Sequence, residues 1–285
     1  MKDKIILGTV QLGLDYGINN AKGKPSQEEA FAILDYAFEN DIHILDSADV
    51  YGNALEVIGD HKRKSGKEFS VINKFKVDGI PLATKLRKNL DELNCESLSC
   101  YMFHAYADYE GGTVAKELNE LKSKGLIERT GVSIYTVDQL RVVATDDAID
   151  VIQLPANIFD FSSEKQELLE RARNSEKEIH VRSVFLQGIF MKDPSKLTGN
   201  LLPLAPYLER LGKICDISSV EMKDAALNFI IHNKNVDYVV LGIEHVAQLK
   251  ENLALVHDNF DAAPFNNFEI GKEDQFLLNP ANWKP

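Results

Sequence analysis

The chain has 285 residues, 44% of them hydrophobic, and a formal net charge of −12. That length suits one large core, built as two ordinary domains or as one α/β barrel, and the composition excludes a disordered chain. So acidic a protein is a poor partner for nucleic acid or an anionic membrane, both polyanions that select clustered Lys and Arg, and any anionic ligand needs a locally positive pocket.

In chain order, Met1-Lys2-Asp3-Lys4-Ile5 runs into a first predicted strand at 4–8 with no long apolar stretch ahead of it, and no 18-residue apolar run occurs anywhere. A cytoplasmic protein without a membrane partner is expected. Ser26 with Glu29 forms a capping box ahead of Ala30, Ile33, Leu34, Ala37 and Phe38, whose spacing is that of an amphipathic helix. The second strand, at 43–46, stops on Asp46, with Tyr51-Gly52 close behind. The third covers 69–74, and Leu82, Leu86, Leu90 and Leu93 then stripe a helix. The fourth covers 98–104, and a helix at 113–124 ends at Gly125. Strands follow at 129–133, 151–153 and 179–183. The longest connection comes next; its stretch at about 184–218 reads as a flexible loop over one end of the fold, after which Ser218 with Glu221 repeats the capping device ahead of the last strand at 238–242. Cys95, Cys100 and Cys215 are odd in number and form no CxxC pair, so they read as buried free thiols rather than disulfides or metal ligands.

Eight strands alternating with helices, and no break in composition, favour one (β/α)8 TIM barrel over 1–285. A doubly wound sheet has fewer strands and a glycine-rich first turn, and the spacing of Gly8 and Gly13 in "LGTVQLG" is wrong for that turn. In a barrel, chemistry collects where the C-terminal ends of the strands converge. Those ends carry Thr9, Asp46, Lys74, His104, Ser133, Gln153, Arg182 or Ser183, and Gly242. Any one polar strand end is an ordinary turn or cap residue, and taken singly Tyr51 reads as a packing aromatic, Lys74 as a surface cation and His104 as a rim histidine. The ordered set is harder to dismiss.

"LDSADVYGNALEVIG", "VINKF", "YMFHAY", "IERTGVSIYT", "VIQLPANIFD" and "VVLGIEHVAQLKENL" resemble, in order, the motifs of the aldo-keto reductase family. Two departures stand out: no N-terminal hairpin plugs the barrel, and Ile134 replaces the family's Asn after the fifth-strand Ser. The resemblance implies NAD(P)(H)-dependent reduction of an aldehyde or ketone, or the reverse oxidation, with Asp46, Tyr51, Lys74 and His104 catalytic. Tyr51 would give the proton that the developing alkoxide needs, Lys74 would favour its phenolate, Asp46 would hold Lys74 charged, and His104 would orient the carbonyl.

The resemblance also implies that Ser133 and Gln153 hold the nicotinamide carboxamide. Ser183, Phe185, Leu186, Gln187 and Gly188 would line the pyrophosphate passage, and Gln248, Glu251 and Asn252 would meet the adenosine. Arg182 stands where relatives place an aromatic ring against nicotinamide. Family habit favours NADP(H) over NAD(H), although Glu244 would repel a 2′-phosphate and only Lys192, Lys196 or Lys250 could compensate. The short loops suggest an open mouth and a small, polar, sugar-like carbonyl substrate. The other histidines read as surface or helix-end residues. Two further readings fit the residues: a nucleotide-binding regulatory barrel, and an aldolase with Lys74 as Schiff-base lysine.

Overall fold

The computed structural model describes residues 1–17, 20, 23–266 and 268–283. Eight parallel strands close in chain order: β1 (Ile5–Gly8), β2 (Ile44–Ala48), β3 (Ser70–Phe75), β4 (Cys100–Phe103), β5 (Thr130–Ser133), β6 (Val151–Pro155), β7 (Glu178–Arg182) and β8 (Tyr238–Gly242), with β8 pairing back onto β1. Helices lie between them, so this is the (β/α)8 barrel.

Strand periodicity sorts the side chains into two shells. Leu45, Val71, Val132, Ile152, Val181 and Val239 join the large core beneath the helices. The alternate positions, Ile6, Ile72, Cys100, Met102 and Val151, form a separate core that fills the barrel interior. One inward step further along the strands, the side chains are Gly8, Asp46, Lys74, His104, Ser133, Gln153, Arg182 and Gly242. The polar layer is therefore the last layer of the barrel filling. At the opposite end Glu178 joins Arg129 (2.5 Å) to His180 (2.6 Å), while Lys4 donates to the carbonyls of Ile231 and Val236.

The capping box of Ser26 and Glu29 starts the helix Gln27–Glu39, and all four leucines of the stripe are buried along Leu82–Leu93. Other expectations are corrected. β2 continues through Ala48, so Asp46 lies inside the strand and does not end it. Ser218 closes the helix Ala205–Ser218, and Glu221 precedes Met222–Ile231 without a side-chain cap. In place of a flexible loop, the chain after β7 forms 3-10 turns at Leu186–Met191, Pro194–Lys196 and Gly199–Leu204 before that first helix. Leu186, Ile189, Phe190, Leu197 and Leu204 are buried and tie those turns to the core. His61 and His180 are buried rather than superficial, paired with Asp35 and Glu178.

The turns after β1 and β2 meet at two glycines. A Cβ on Gly13 would lie 1.8 Å from the Tyr51 carbonyl oxygen and 2.6 Å from the Ala54 nitrogen; Gly52, at φ +58°, would bring its own Cβ to 2.3 Å from the Gly13 oxygen. Backbone atoms cannot yield to that extent without moving the Tyr51 turn. Gly13→Ala is therefore expected to lower the stability by about 2 kcal/mol or more, read as a lower urea midpoint; an unchanged midpoint would show that the two turns do not touch.

Candidate active site

Asp46 and Lys74 form an ion pair at the C-terminal end of the barrel, 5% and 3% exposed at the side chain. β2 and β3 place them there, since both are inward residues one step beyond Ile44 and Ile72. Asp46 Oδ1 accepts from Lys74, and Oδ2 accepts from Gln153 Nε2 at 2.7 Å. Thr9 donates its hydroxyl to the Asp46 carbonyl at 3.0 Å. Burial disfavours the Lys74 charge, but the Asp46 carboxylate, joined by Tyr51 once that is ionised, outweighs the effect, so the ammonium is held above its ordinary pKa.

Tyr51 sits on the turn after β2, with Lys74 Nζ 5.3 Å from its ring centroid and the His104 ring edge-on at 5.9 Å. The expectation that Lys74 makes the phenol more acidic is corrected in net effect. Burial raises the Tyr51 pKa more than the nearby ammonium lowers it, and Asp46 adds to the rise. Tyr51 therefore rests as a protonated phenol. His104, at the end of β4, is pushed down to about 4 by burial and then by the charges of Lys74 and Lys76. Its imidazole is neutral at neutral pH.

These groups line a cavity of about 570 Å3. Among the residues expected at a cofactor, Ser133, Gln153, Arg182, Ser183, Phe185, Gln187, Gly188 and Gln248 line it. Glu251 and Asn252 do not: Glu251 is exposed and lies 3.9 Å from Lys223, and Asn252 is buried in the helix Val246–Ala254. Gln248 accepts from the Glu244 backbone at 2.7 Å, which fixes the loop at the rim. Ser183, Leu186, Gln187 and Gly188 all have positive φ, at +65°, +43°, +50° and +86°. Such a run bends the chain sharply round the mouth.

The motif reading missed Gln11 and Tyr135. Gln11 is 7% exposed, packs over Gly242 and leaves its buried Oε1 without a hydrogen-bond partner. It lies three residues beyond the end of β1, where no strand period points to the mouth. Tyr135 lies two residues beyond Ser133, the end of β5, and its ring stacks under the Arg182 guanidinium at 4.3 Å.

The cavity can take a small carbonyl compound together with the reactive end of a larger cofactor, and Gln11 Oε1 and His104 Nδ1 are buried polar atoms still lacking partners. Among the described residues no cluster suits a metal ion, and no helix is long and apolar enough to cross a membrane.

The model of the aldo/keto reductase family matches residues 4–270. The chain belongs to the aldo/keto reductase family. It is an oxidoreductase of a family that uses NAD(P)H and acts on small carbonyl compounds. It is 21% identical over 279 residues to the uncharacterized oxidoreductase YqkF of Bacillus subtilis, covering 87% of this chain and 89% of that protein. It is 25% identical over 193 residues to the NADH-specific methylglyoxal reductase of Escherichia coli, covering 61% and 59%. The aldo-keto reductase AKR11C1 of Bacillus halodurans in its holo form superposes with a TM-score of 0.74 at 18% identity, over 99% of this chain and 94% of that one.

The low His104 pKa has a measurable consequence. The unfolded chain takes up this proton near pH 6.5 and the folded chain only near 4, so the contribution of neutral His104 to stability is lost as the pH falls from 6.5 to 4. His104→Gln is expected to flatten the fall in urea-unfolding free energy across that window. If the variant's slope equals the parent's, His104 is not held neutral by burial.

Proposed function

We propose that the protein reduces an aldehyde or ketone with NAD(P)H, Tyr51 delivering the proton. The observation that carries this reading is the convergence of Tyr51, Lys74 and His104 on one cavity wall. The reduced cofactor, when bound, supplies hydride to the carbonyl carbon. Charge then gathers on the carbonyl oxygen, and the rest of the chemistry belongs to the protein. His104, being neutral, can donate an N–H to that oxygen and hold it towards Tyr51. The phenol gives up its proton as the alkoxide forms, and the Lys74 ammonium meets the phenolate left behind. Asp46, tied to both Lys74 and Gln153, keeps the ammonium charged and aimed. A carbonyl compound, NAD(P)H and a proton thus become an alcohol and NAD(P)+.

In this reading Ser133 and the free part of the Gln153 amide hold the nicotinamide carboxamide, the 183–188 bend passes the pyrophosphate, and Gln248 meets the adenosine end. A polar, sugar-like carbonyl compound suits the lining; methylglyoxal, in the name of one relative, is also a small carbonyl compound. The raised pKa of Lys74 counts against a Schiff-base role, which needs a readily neutral amine.

Tyr51→Phe is expected to keep cofactor affinity, followed by fluorescence titration, while lowering turnover of the best carbonyl substrate by roughly a hundredfold or more, the scale of one general acid. Parent-like turnover would remove Tyr51 from the reaction.

The basic residues considered for a 2′-phosphate lie elsewhere: Lys250 Nζ is over the Tyr36 ring at 5.1 Å, Lys196 is 3.8 Å from Asp193, and Lys192 is exposed and outside the lining. Glu244 does line the cavity. NADPH and NADH are therefore bound with little discrimination, and Glu244→Arg is expected to tighten NADPH more than NADH in paired fluorescence titrations. Strong selectivity of the parent for NADPH would overturn this.

A further inference from the structure

Arg182 is the last inward residue of β7, directly at the wall of the cavity and half-buried. One face of its guanidinium is covered by the Tyr135 ring, with Cζ 4.3 Å from the ring centroid. One amino group donates to the Ile134 carbonyl at 3.3 Å. A guanidinium has five N–H donors and no means of losing its charge, and among the described residues no carboxylate forms an ion pair with this one. Of the two carboxylates of the cavity, Asp46 is taken at both oxygens by Lys74 and Gln153, and Glu244 lies beside Gly17, where a Cβ on that glycine would be 3.4 Å from its Oε1.

The guanidinium is nonetheless close enough to the reacting groups for its charge to act on Tyr51, Lys74 and His104 alike. An acidic chain with 44 Asp and Glu against 32 Lys and Arg thus leaves a rigidly stacked arginine without a counter-ion beside its proposed proton donor. Lys74 cannot serve the same purpose, because its charge is already matched by Asp46.

We infer that Arg182 binds an anionic group on the substrate, so that the preferred substrate is a small carbonyl compound carrying a carboxylate or a phosphate. The inference rests on the carbonyl-reductase reading above and narrows its substrate class. The stacked guanidinium presents its fork to a carboxylate or phosphate in a fixed geometry, which is what planar, charge-assisted recognition needs. Tyr135, itself 49% exposed, holds the plane of the fork and borders the entrance.

The experiment compares matched carbonyl pairs: succinic semialdehyde against butanal for the carboxylate, and glyceraldehyde 3-phosphate against glyceraldehyde for the phosphate. The parent is expected to favour at least one anionic member by about tenfold or more in kcat/KM. Arg182→Met should abolish that ratio and Arg182→Lys should keep part of it, with circular dichroism confirming that both fold. Equal kcat/KM within both pairs for the parent would overturn the inference while leaving the reductase reading intact. A ratio that survives in Arg182→Met alongside weaker NAD(P)H binding would overturn it too, and would assign Arg182 to the cofactor. Turnover of neither pair would count against the reductase reading, and ligand-observed NMR would then decide the inference separately: binding of succinate or glycerol 3-phosphate to the parent, absent for glycerol and lost in Arg182→Met, supports it, and no such binding overturns it.

Discussion

The Lys74–Asp46 pair is the constraint on which the cavity end of the barrel depends. An isolated ammonium or carboxylate at that depth would lose most of its hydration and neutralise. The charges persist because each Asp46 oxygen has a donor, one from Lys74 and one from Gln153. Such a pair is a weak source of net stability, yet removing one member leaves an uncompensated buried charge and costs about 3–5 kcal/mol. β2, β3 and β6 are thus tied together across the barrel by the same contacts that keep a cation beside Tyr51. Replacement of either charge would alter the wall as well as the chemistry.

Around that pair, burial sets the state of both neutral donors, against the Lys74 charge at Tyr51 and together with it at His104. It keeps Tyr51 protonated against the pull of Lys74, and it keeps His104 neutral with the help of Lys74 and Lys76. The resting site therefore holds two uncharged donors next to the Lys74 ammonium and the Arg182 guanidinium. That distribution suits a reaction in which negative charge appears on an oxygen, because the field is already in place before the charge forms.

How much of this was legible in the sequence followed from the strand period. Asp46, Lys74, His104, Ser133, Gln153 and Arg182 were found because each follows an apolar run at the position where the inward-facing series reaches the rim. The period does not extend past the strand, so Gln11 and Tyr135, three and two residues further on, went unread although both line the cavity. Order after β7 was missed for a related reason: "FMKDPSKLTGNLLPL" has the glycine and prolines of a loop, while its scattered apolar residues are pinned to the core without any helical or strand spacing. The helix start at Ser218 failed because a Ser and a Glu three apart are common, and the preceding helix simply ran through the serine. Gln153 was placed at the cavity correctly, but its bond to Asp46 joins residues 107 apart in sequence, which no local pattern records.

The two positions where the chain departs from the family motifs near the reaction centre, Ile134 and Arg182, are neighbours in space. The Arg182 guanidinium donates to the carbonyl of Ile134 and stacks on the next residue, Tyr135. The Ile134 side chain is fully buried, so it offers the cavity only its backbone, and a backbone carbonyl is a suitable anchor for one arm of a guanidinium. An amide side chain at 134 and an aromatic ring at 182 would both be neutral groups; here the same corner carries a fixed positive charge held by a carbonyl and a ring. The departures thus form one altered corner between β5 and β7, on the side of the cavity where Ser133, Gln153 and Arg182 converge, and a change confined to that corner alters what can sit beside Tyr51 without disturbing Asp46, Lys74 or His104.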